Sequence, residues 1–348
     1  MGKKIKIAIF IAVIIIVAVF GFFISQNNAT EKSTVKKEEP QAETLKPDDA
    51  GNEPIKSDPI SIPAFSEKIF DGSDFKVGKI LEQNNAYTRY YITYESAGLT
   101  ISGIMNVPRG KGPFPVLFLN HGHINPEIYT NGQGLKREQD YLARNGYLVV
   151  HSDYRNHAGS DKEAAVDNED LHFGYTEDVI NGAEALKKAG LSYADTEKIG
   201  MLGHSMGGII AEIIIVAKPD LVKAMVLFAP MSADQKDNYE KWGRNHRSDQ
   251  DSAGENSRTP ENDPEFFKNA SPINFFGQVQ VPIMIHHGTS DDSCALAWSE
   301  KTVKALKSAG KDAILYTYPE EPHEFIDAWP QVMKRTVEFF DKYVKLAD

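Results

Sequence analysis

Ser205 stands in Gly203-His-Ser-Met-Gly207, the spacing G-x-S-x-G. An apolar run of strand length, Ile199 to Leu202, leads into it. A longer apolar run follows from Met206 to Lys218 and has the length of a buried helix. A sharp strand-to-helix turn has little room for side chains at its flanks, and glycine supplies that room. The turn lifts the serine hydroxyl clear of the sheet edge. It also places the next N–H groups at a helix N-terminus, where developing negative charge is stabilised. The chemistry on offer is nucleophilic attack on an acyl carbonyl. The motif is weak alone and gains weight from its setting between a strand and a helix.

A serine needs a base, and the base needs an orienting acid. Strand Ile283 to His286 runs into His287-Gly-Thr-Ser-Asp-Asp292, an acid just past a strand end. Strand Ala313 to Tyr318 runs into Pro319-Glu-Glu-Pro-His323. Sheets with this kind of serine turn present the partners in the order serine, acid, histidine. His323 is the only histidine after Asp291, so it is the candidate base. The third position after Gly288 favours Asp291 as the acid, leaving Asp292 to cap the following helix. The oxyanion donors are expected to be the N–H of Met206 and one N–H from Asn120-His-Gly-His-Ile124. Gly122 permits a tight backbone there, which makes His123 the first candidate and Ile124 the second. His121, His123, His151, Asp153 and His157 fall near two strand ends, yet no zinc-ligand spacing appears among them. No metal and no cofactor is expected. Asp153 and Arg155 are read as a structural pair bracing their loop, and Cys294 as a packing residue.

The elements that must position these groups alternate along the chain. Tyr87 to Tyr94 and Leu99 to Val107 read as opening strands without helices between them. Then come strand Val116 to Leu119, helix Gly134 to Arg144, strand Tyr147 to Ser152 and helix Thr176 to Lys188. After the serine turn come strand Val222 to Phe228, strand Ile283 to His286, helix Leu296 to Ser308, strand Ala313 to Tyr318 and a helix near Phe325 to Leu346. Gly146, Gly190 and Gly310 close three of these helices. Such alternation predicts an α/β fold, a mostly parallel central sheet flanked by helices on both faces. Residues 233–280 are too long for a plain connection. They are read as a cap-like insertion with Trp242, Phe266, Phe267, Phe275 and Phe276 as its apolar contacts.

The chain has 348 residues and a net charge of −11, a balance that argues against a nucleic-acid partner. Its one cysteine can form no intramolecular disulfide. Ile7 to Ile24 is apolar without interruption and follows Lys3, Lys4 and Lys6. As a helix it would span roughly 27 Å, close to a bilayer core. The lysines predict that residues 1–6 stay cytoplasmic and that the bulk of the chain lies outside. A membrane anchor is expected, with a cleaved signal and secretion as the alternative. Residues 25–63 are polar and proline-dotted, and are expected to be a disordered linker to a domain over 64–348.

Gly203-His-Ser-Met-Gly-Gly208, His287-Gly-Thr-Ser-Asp-Asp292, Pro322-His-Glu-Phe325 and Asp153-Tyr-Arg-Asn-His-Ala-Gly-Ser160 together resemble the catalytic domain of the prolyl oligopeptidase family. Tyr175-Thr-Glu-Asp178 and Ala270-Ser-Pro-Ile-Asn274 resemble it too. The likeness runs from about Thr88 to the C-terminus, without the family's β-propeller. It implies an α/β-hydrolase fold with Ser205 as nucleophile, Asp291 as acid and His323 as base. The chain departs from the family pattern at Asn156 and Ala158, and at Cys294-Ala295 after the acid. The expected function is an extracytoplasmic serine hydrolase acting on the acyl bonds of a peptide or small-molecule ester. A dedicated carboxylesterase and a non-catalytic binding protein on a hydrolase fold are the alternatives. The sequence sets no oligomeric state.

Overall fold

The computed structural model describes residues 57–163, 170–244 and 258–346. In chain order its helices are α1 (Ile62–Glu67), α2 (Lys136–Arg144), α3 (Phe173–Ala189), α4 (Met206–Ala217), α5 (Gln235–Asn238), α6 (Pro264–Ala270), α7 (Leu296–Ser308) and α8 (Trp329–Phe340). Its strands are β1 (Ser73–Gln83), β2 (Tyr87–Ser96), β3 (Leu99–Pro108), β4 (Phe114–Asn120), β5 (Leu148–Ser152), β6 (Ala194–His204), β7 (Ala224–Phe228), β8 (Ile283–Gly288) and β9 (Ala313–Tyr318). They form one sheet in the order β1-β2-β3-β5-β4-β6-β7-β8-β9. The pairs from β1 to β5 are antiparallel, and those from β5 to β9 parallel. This is the mostly parallel sheet that the alternation predicts and the α/β-hydrolase architecture that the resemblance implies.

Successive side chains of a strand point to opposite faces, and the core divides accordingly. Val116, Phe118, Leu148, Val150, Met225 and Leu227 pack into one cluster with residues of α1, α3, α4 and α7. Leu117, Leu119, Val149, Val226 and Phe228 pack into the other with α2 and α8. Strands covered on both faces need no polar alternation, so β5, β7 and β8 are buried along their whole length. Every residue of α4 is buried, as its unbroken apolar run implies. Gly146, Gly190 and Gly310 do follow helices, each at positive φ (84°, 59° and 72°).

Four differences from the sequence reading have physical reasons. The ordered domain begins inside the stretch expected to be linker. Ser61 Oγ accepts the Ala64 N–H at 3.3 Å and so caps α1, whose Ile62 and Phe65 are buried in the core. Strand β1 went unread because nearly all its residues are exposed, so no buried face imprints an alternating pattern. Its pairing with β2 defines it. The last helix starts at Trp329, because Phe325, at φ 52°, belongs to the loop that carries His323. Asp153 and Arg155 do not pair with each other. Tyr154 between them is at φ 63°, and their side chains take different partners. The Asp153 carboxylate accepts from Ser102, Tyr129, Asn131 and the Gly132 N–H. The Arg155 guanidinium bonds Asp178, Glu177 and Glu163.

The apolar run Ile7 to Ile24 lies outside the described residues, as does most of the expected linker. Among the described residues no helix is long and apolar enough to cross a membrane. The insertion 233–280 contributes α5, a π-turn at Tyr239–Gly243, α6 and a 3-10 turn at Pro272–Gln278, with residues 245–257 outside the described set. Phe266, Phe267 and Phe276 are buried, and Trp242 and Phe275 pack against the larger core cluster.

Candidate active site

Ser205 sits between β6 and α4 at φ 56° and ψ −119°, a conformation that costs an L-residue on the order of 1–3 kcal/mol. Its surroundings fix it there. The Ser205 N–H donates to Phe228 O at 3.0 Å, and Ser205 O accepts from Gly208 at 2.8 Å and Met231 at 3.0 Å. The two glycines of the motif mark backbone contacts. A Cβ on Gly203 would lie 2.2 Å from Gly207 O, and one on Gly207 would lie 2.0 Å from Asn120 O. The strand, the helix and the loop after β4 therefore meet at the serine with no space for side chains. Met206 opens α4, where the first N–H groups have no intrahelical acceptor.

The loop after β4 lies against the serine. A Cβ on Gly122 would be 3.1 Å from Ser205 Cβ. His121, fully buried, anchors this loop by stacking on Tyr154 (4.2 Å between ring centres) and Tyr129 (4.9 Å). Burial lowers the His121 imidazole to about 3, so it is neutral, and its Nδ1 bonds Gly122 O at 2.7 Å. His123 is exposed. His151 and His157 extend the same ring cluster. Among the described residues no group of three or more His, Cys, Asp and Glu is placed to hold a metal ion.

The candidate acid and the candidate base leave the ends of neighbouring strands. Asp291 follows β8, His323 follows β9, and their loops are laced by backbone bonds from Thr289 to Tyr318 O (2.9 Å) and Ser290 to Glu321 O (3.0 Å). His323 Nδ1 lies 2.7 Å from Asp291 Oδ2. Burial alone would raise the Asp291 carboxyl. Hydrogen bonds from His287, His323 and the Cys294 N–H outweigh it and hold the group well below the usual carboxylate range. Asp292 does not cap α7. The cap position falls to Ala295 without a side-chain bond, because Asp291 Oδ1 already closes the turn through the N–H groups of Ser293 (2.9 Å) and Cys294 (2.8 Å). Cys294 is fully buried, with Sγ 3.9 Å from Ser205 Oγ. Burial and the Asp291 charge push its thiol up to about 12, so it is not a thiolate at neutral pH.

Four residues that the sequence reading passed over shape the site. His204 Nε2 lies 3.2 Å from His323 O, with ring centres 4.5 Å apart. Burial, then the neighbouring His323, lower the His204 imidazole to about 3, so Nε2–H of the neutral ring serves as the donor. Arg137 on α2 donates to Glu324 O at 2.6 Å and Phe325 O at 3.2 Å, pinning the histidine loop from the other side. Glu321 accepts from Ile326 (2.6 Å) and Ala328 (2.8 Å) and closes the same loop. His287, fully buried, lies between Asp291 and Ser299. Its signal was a polar residue inside a buried apolar strand, which must find partners.

A family model described as the prolyl oligopeptidase family matches residues 133–347, more than half of the chain. The chain is 26% identical over 239 residues to the uncharacterized peptidase YuxL of Bacillus subtilis (strain 168), covering 65% of this chain and 34% of that protein. It is 23% identical over 257 residues to the uncharacterized peptidase YtmA of the same organism, covering 74% of this chain and 93% of that one. Among solved structures, an acylaminoacyl peptidase in complex with Z-Gly-Gly-Phe-chloromethyl ketone superposes with a TM-score of 0.62 at 25% identity, over 76% of this chain and 43% of that one. The chain thus spans about a third of the length of YuxL and under half of the acylaminoacyl peptidase. With its α/β-hydrolase sheet, its serine turn and the match over residues 133–347, this chain belongs to the prolyl oligopeptidase family.

Proposed function

We propose that Ser205 is the nucleophile of a Ser–Asp–His triad that cleaves acyl bonds through an acyl-enzyme. Ser205 Oγ attacks the carbonyl carbon, and His323 Nε2 takes its proton. Asp291 holds His323 in the tautomer with Nδ1–H and stabilises the imidazolium that forms. The N–H groups of Met206 and His123 receive the oxyanion. His323 returns the proton to the leaving group, and water then releases the acyl group by the reverse sequence. The 2.7 Å bond between His323 Nδ1 and Asp291 Oδ2 supports this reading most directly, because it leaves Nε2 for the serine. Ser205 Oγ contacts Cys294 Sγ at 3.9 Å, and in this mechanism the hydroxyl leaves that weak contact to reach the imidazole. Fluorophosphonate labelling tests it: the protein should label, and Ser205→Ala should lose the label and at least ~10³-fold in kcat. Undiminished labelling of Ser205→Ala would refute the assignment.

Peptides are the substrate class that this proposal favours, given the family and the complex of the similar acylaminoacyl peptidase with Z-Gly-Gly-Phe-chloromethyl ketone. Hydrolysis of small esters is the second reading, since an alkoxide leaves more easily than an amine and makes less demand on His323. A survey of kcat/KM across peptide amides and acyl esters separates the two. Esterase turnover without cleavage of any amide in a broad peptide library would discard the peptidase. We also propose that residues 7–24 anchor the chain with its catalytic domain outside the cytoplasm, a reading that rests on the apolar run and its preceding lysines. Native protein should then sediment with membranes and keep its N-terminus. An N-terminal sequence beginning near Thr30 would show cleavage instead.

A further inference from the structure

The Asp291 carboxylate accepts three N–H donors and faces a fourth. Oδ1 takes those of Ser293 (2.9 Å) and Cys294 (2.8 Å), while Oδ2 takes His323 Nδ1 (2.7 Å) and faces His287 Nε2 (3.3 Å). His287 Nε2 is also 3.1 Å from Cys294 O. Both neighbours of Nε2, a carboxylate and a carbonyl, can only accept, so Nε2 carries the hydrogen. The opposite nitrogen, Nδ1, is 2.7 Å from Ser299 Oγ on α7, and the serine hydroxyl donates to it. His287 and Ser299 are both fully buried, so no water competes for these bonds. The acid loop leaves β8 after Gly288, turns through Thr289 to Ser293, and returns to the imidazole of His287 at Cys294 O. The ring is the post around which the loop folds.

We propose that His287 is a positioning residue, an imidazole whose Nε2–H fixes Asp291 Oδ2 and shares its charge, with Ser299 setting its tautomer. The inference rests on the triad reading above. With two donors on Oδ1 and His323 alone on Oδ2, the carboxylate can still tilt about its Cβ–Cγ bond. A second donor on Oδ2, set against two donors on Oδ1, removes that freedom. The same donor draws charge from Oδ2, so His287 also limits how strongly Asp291 stabilises the imidazolium of His323. Other titratable or charged groups face this centre. They are His204 from β6, Arg137 from α2, the Cys294 thiol, and Lys241, which bonds Asp292 O at 3.0 Å from the insertion. His204 is a neutral ring and Cys294 a protonated thiol near neutral pH.

The test is the pH profile of kcat/KM on a p-nitrophenyl ester, with His287→Phe, His287→Gln and Ser299→Ala beside wild type. His287→Phe removes the donor. It should lower kcat/KM by about 30- to 100-fold, mostly in kcat, as misplacement of a catalytic group does. It should also move the acidic limb of the profile upward by about half a pH unit, because Asp291 keeps its full charge. His287→Gln puts an N–H near the position of Nε2 and should restore much of both. Ser299→Ala frees the tautomer and should shift the limb the same way by less, which keeps the test decisive if His287→Phe does not fold. An acidic limb unmoved in Ser299→Ala and in every folded His287 variant overturns the proposal. Loss of rate matched by loss of folded protein alone overturns it too. Fluorophosphonate labelling of wild type separates this from failure of the underlying reading: without a label at Ser205, both fall.

Discussion

At the scale of single residues, the site is a set of groups whose protonation the fold dictates. Asp291 is held as a carboxylate by its donors, while burial keeps the Cys294 thiol protonated with its sulfur 3.9 Å from Ser205 Oγ. Two adjacent acids are thus unequal. Asp291 is enclosed by N–H groups, and Asp292 is exposed, with its carbonyl accepting from Lys241. Asp291→Asn should lower kcat by on the order of 10³–10⁴-fold, since an amide presents the wrong partner to His323. Asp292→Asn should stay within a few-fold of wild type. Steady-state kinetics of the two variants check the assignment, and the reverse pattern would transfer the acid role to Asp292.

At the scale of elements, catalytic geometry comes from backbones that nearly touch. The serine turn brings β6, α4 and the loop after β4 together, and Gly207 is where their closeness is most severe. In Gly207→Ala the new methyl would sit 2.0 Å from Asn120 O, a backbone atom that cannot swing away. That variant should lose at least about 2 kcal/mol of stability, as overpacked core sites do, together with fluorophosphonate reactivity. Urea denaturation and labelling measure the two losses. A variant as stable and as reactive as wild type would show that the turn is looser than described. The histidine loop is held differently, by side chains: Arg137, Glu321 and the buried ring of Phe325 against Phe228 and Tyr318.

At the scale of the whole molecule, a sheet covered on both faces leaves little water for polar groups that fall inside. Glu212, on the fully buried α4, has no hydrogen-bond partner for either carboxyl oxygen among the described residues. Burial raises it well above 4.5, so folding favours its protonated form, while the unfolded chain ionises in the ordinary carboxylate range. The cost of burying it is therefore smallest below about pH 4.5 and grows as pH rises above that value. Glu212→Met, similar in size and apolar, should therefore stabilise the domain, by up to about 1.4 kcal/mol more for each pH unit above 4.5. Chemical denaturation at pH 5 and pH 8 tests this. A stability difference that does not grow between those two values would mean that Glu212 is ionised in the folded state.

Much was readable from the chain alone, for a definite reason. Buried strands and helices must satisfy their own periodicity, so the runs around Ser205 and those over 283–286, 296–308 and 313–318 marked themselves. Chain order then singled out His323, the only histidine after Asp291. What left no periodic trace stayed hidden. Strand β1 buries no face, and α1 is too short to show a pattern beyond its cap. The partners of Asp153 and Arg155 were misjudged because nearness in sequence says nothing about which way a side chain turns at Tyr154. His204, Arg137, Glu321 and His287 act through contacts with residues on other elements or further along a loop, and such contacts exist only once the sheet has assembled. The sequence by itself determined the type of sheet and the candidates for nucleophile, acid and base. Only the tertiary structure decided which neighbours hold them in place, because hydrogen bonds depend on distance in space.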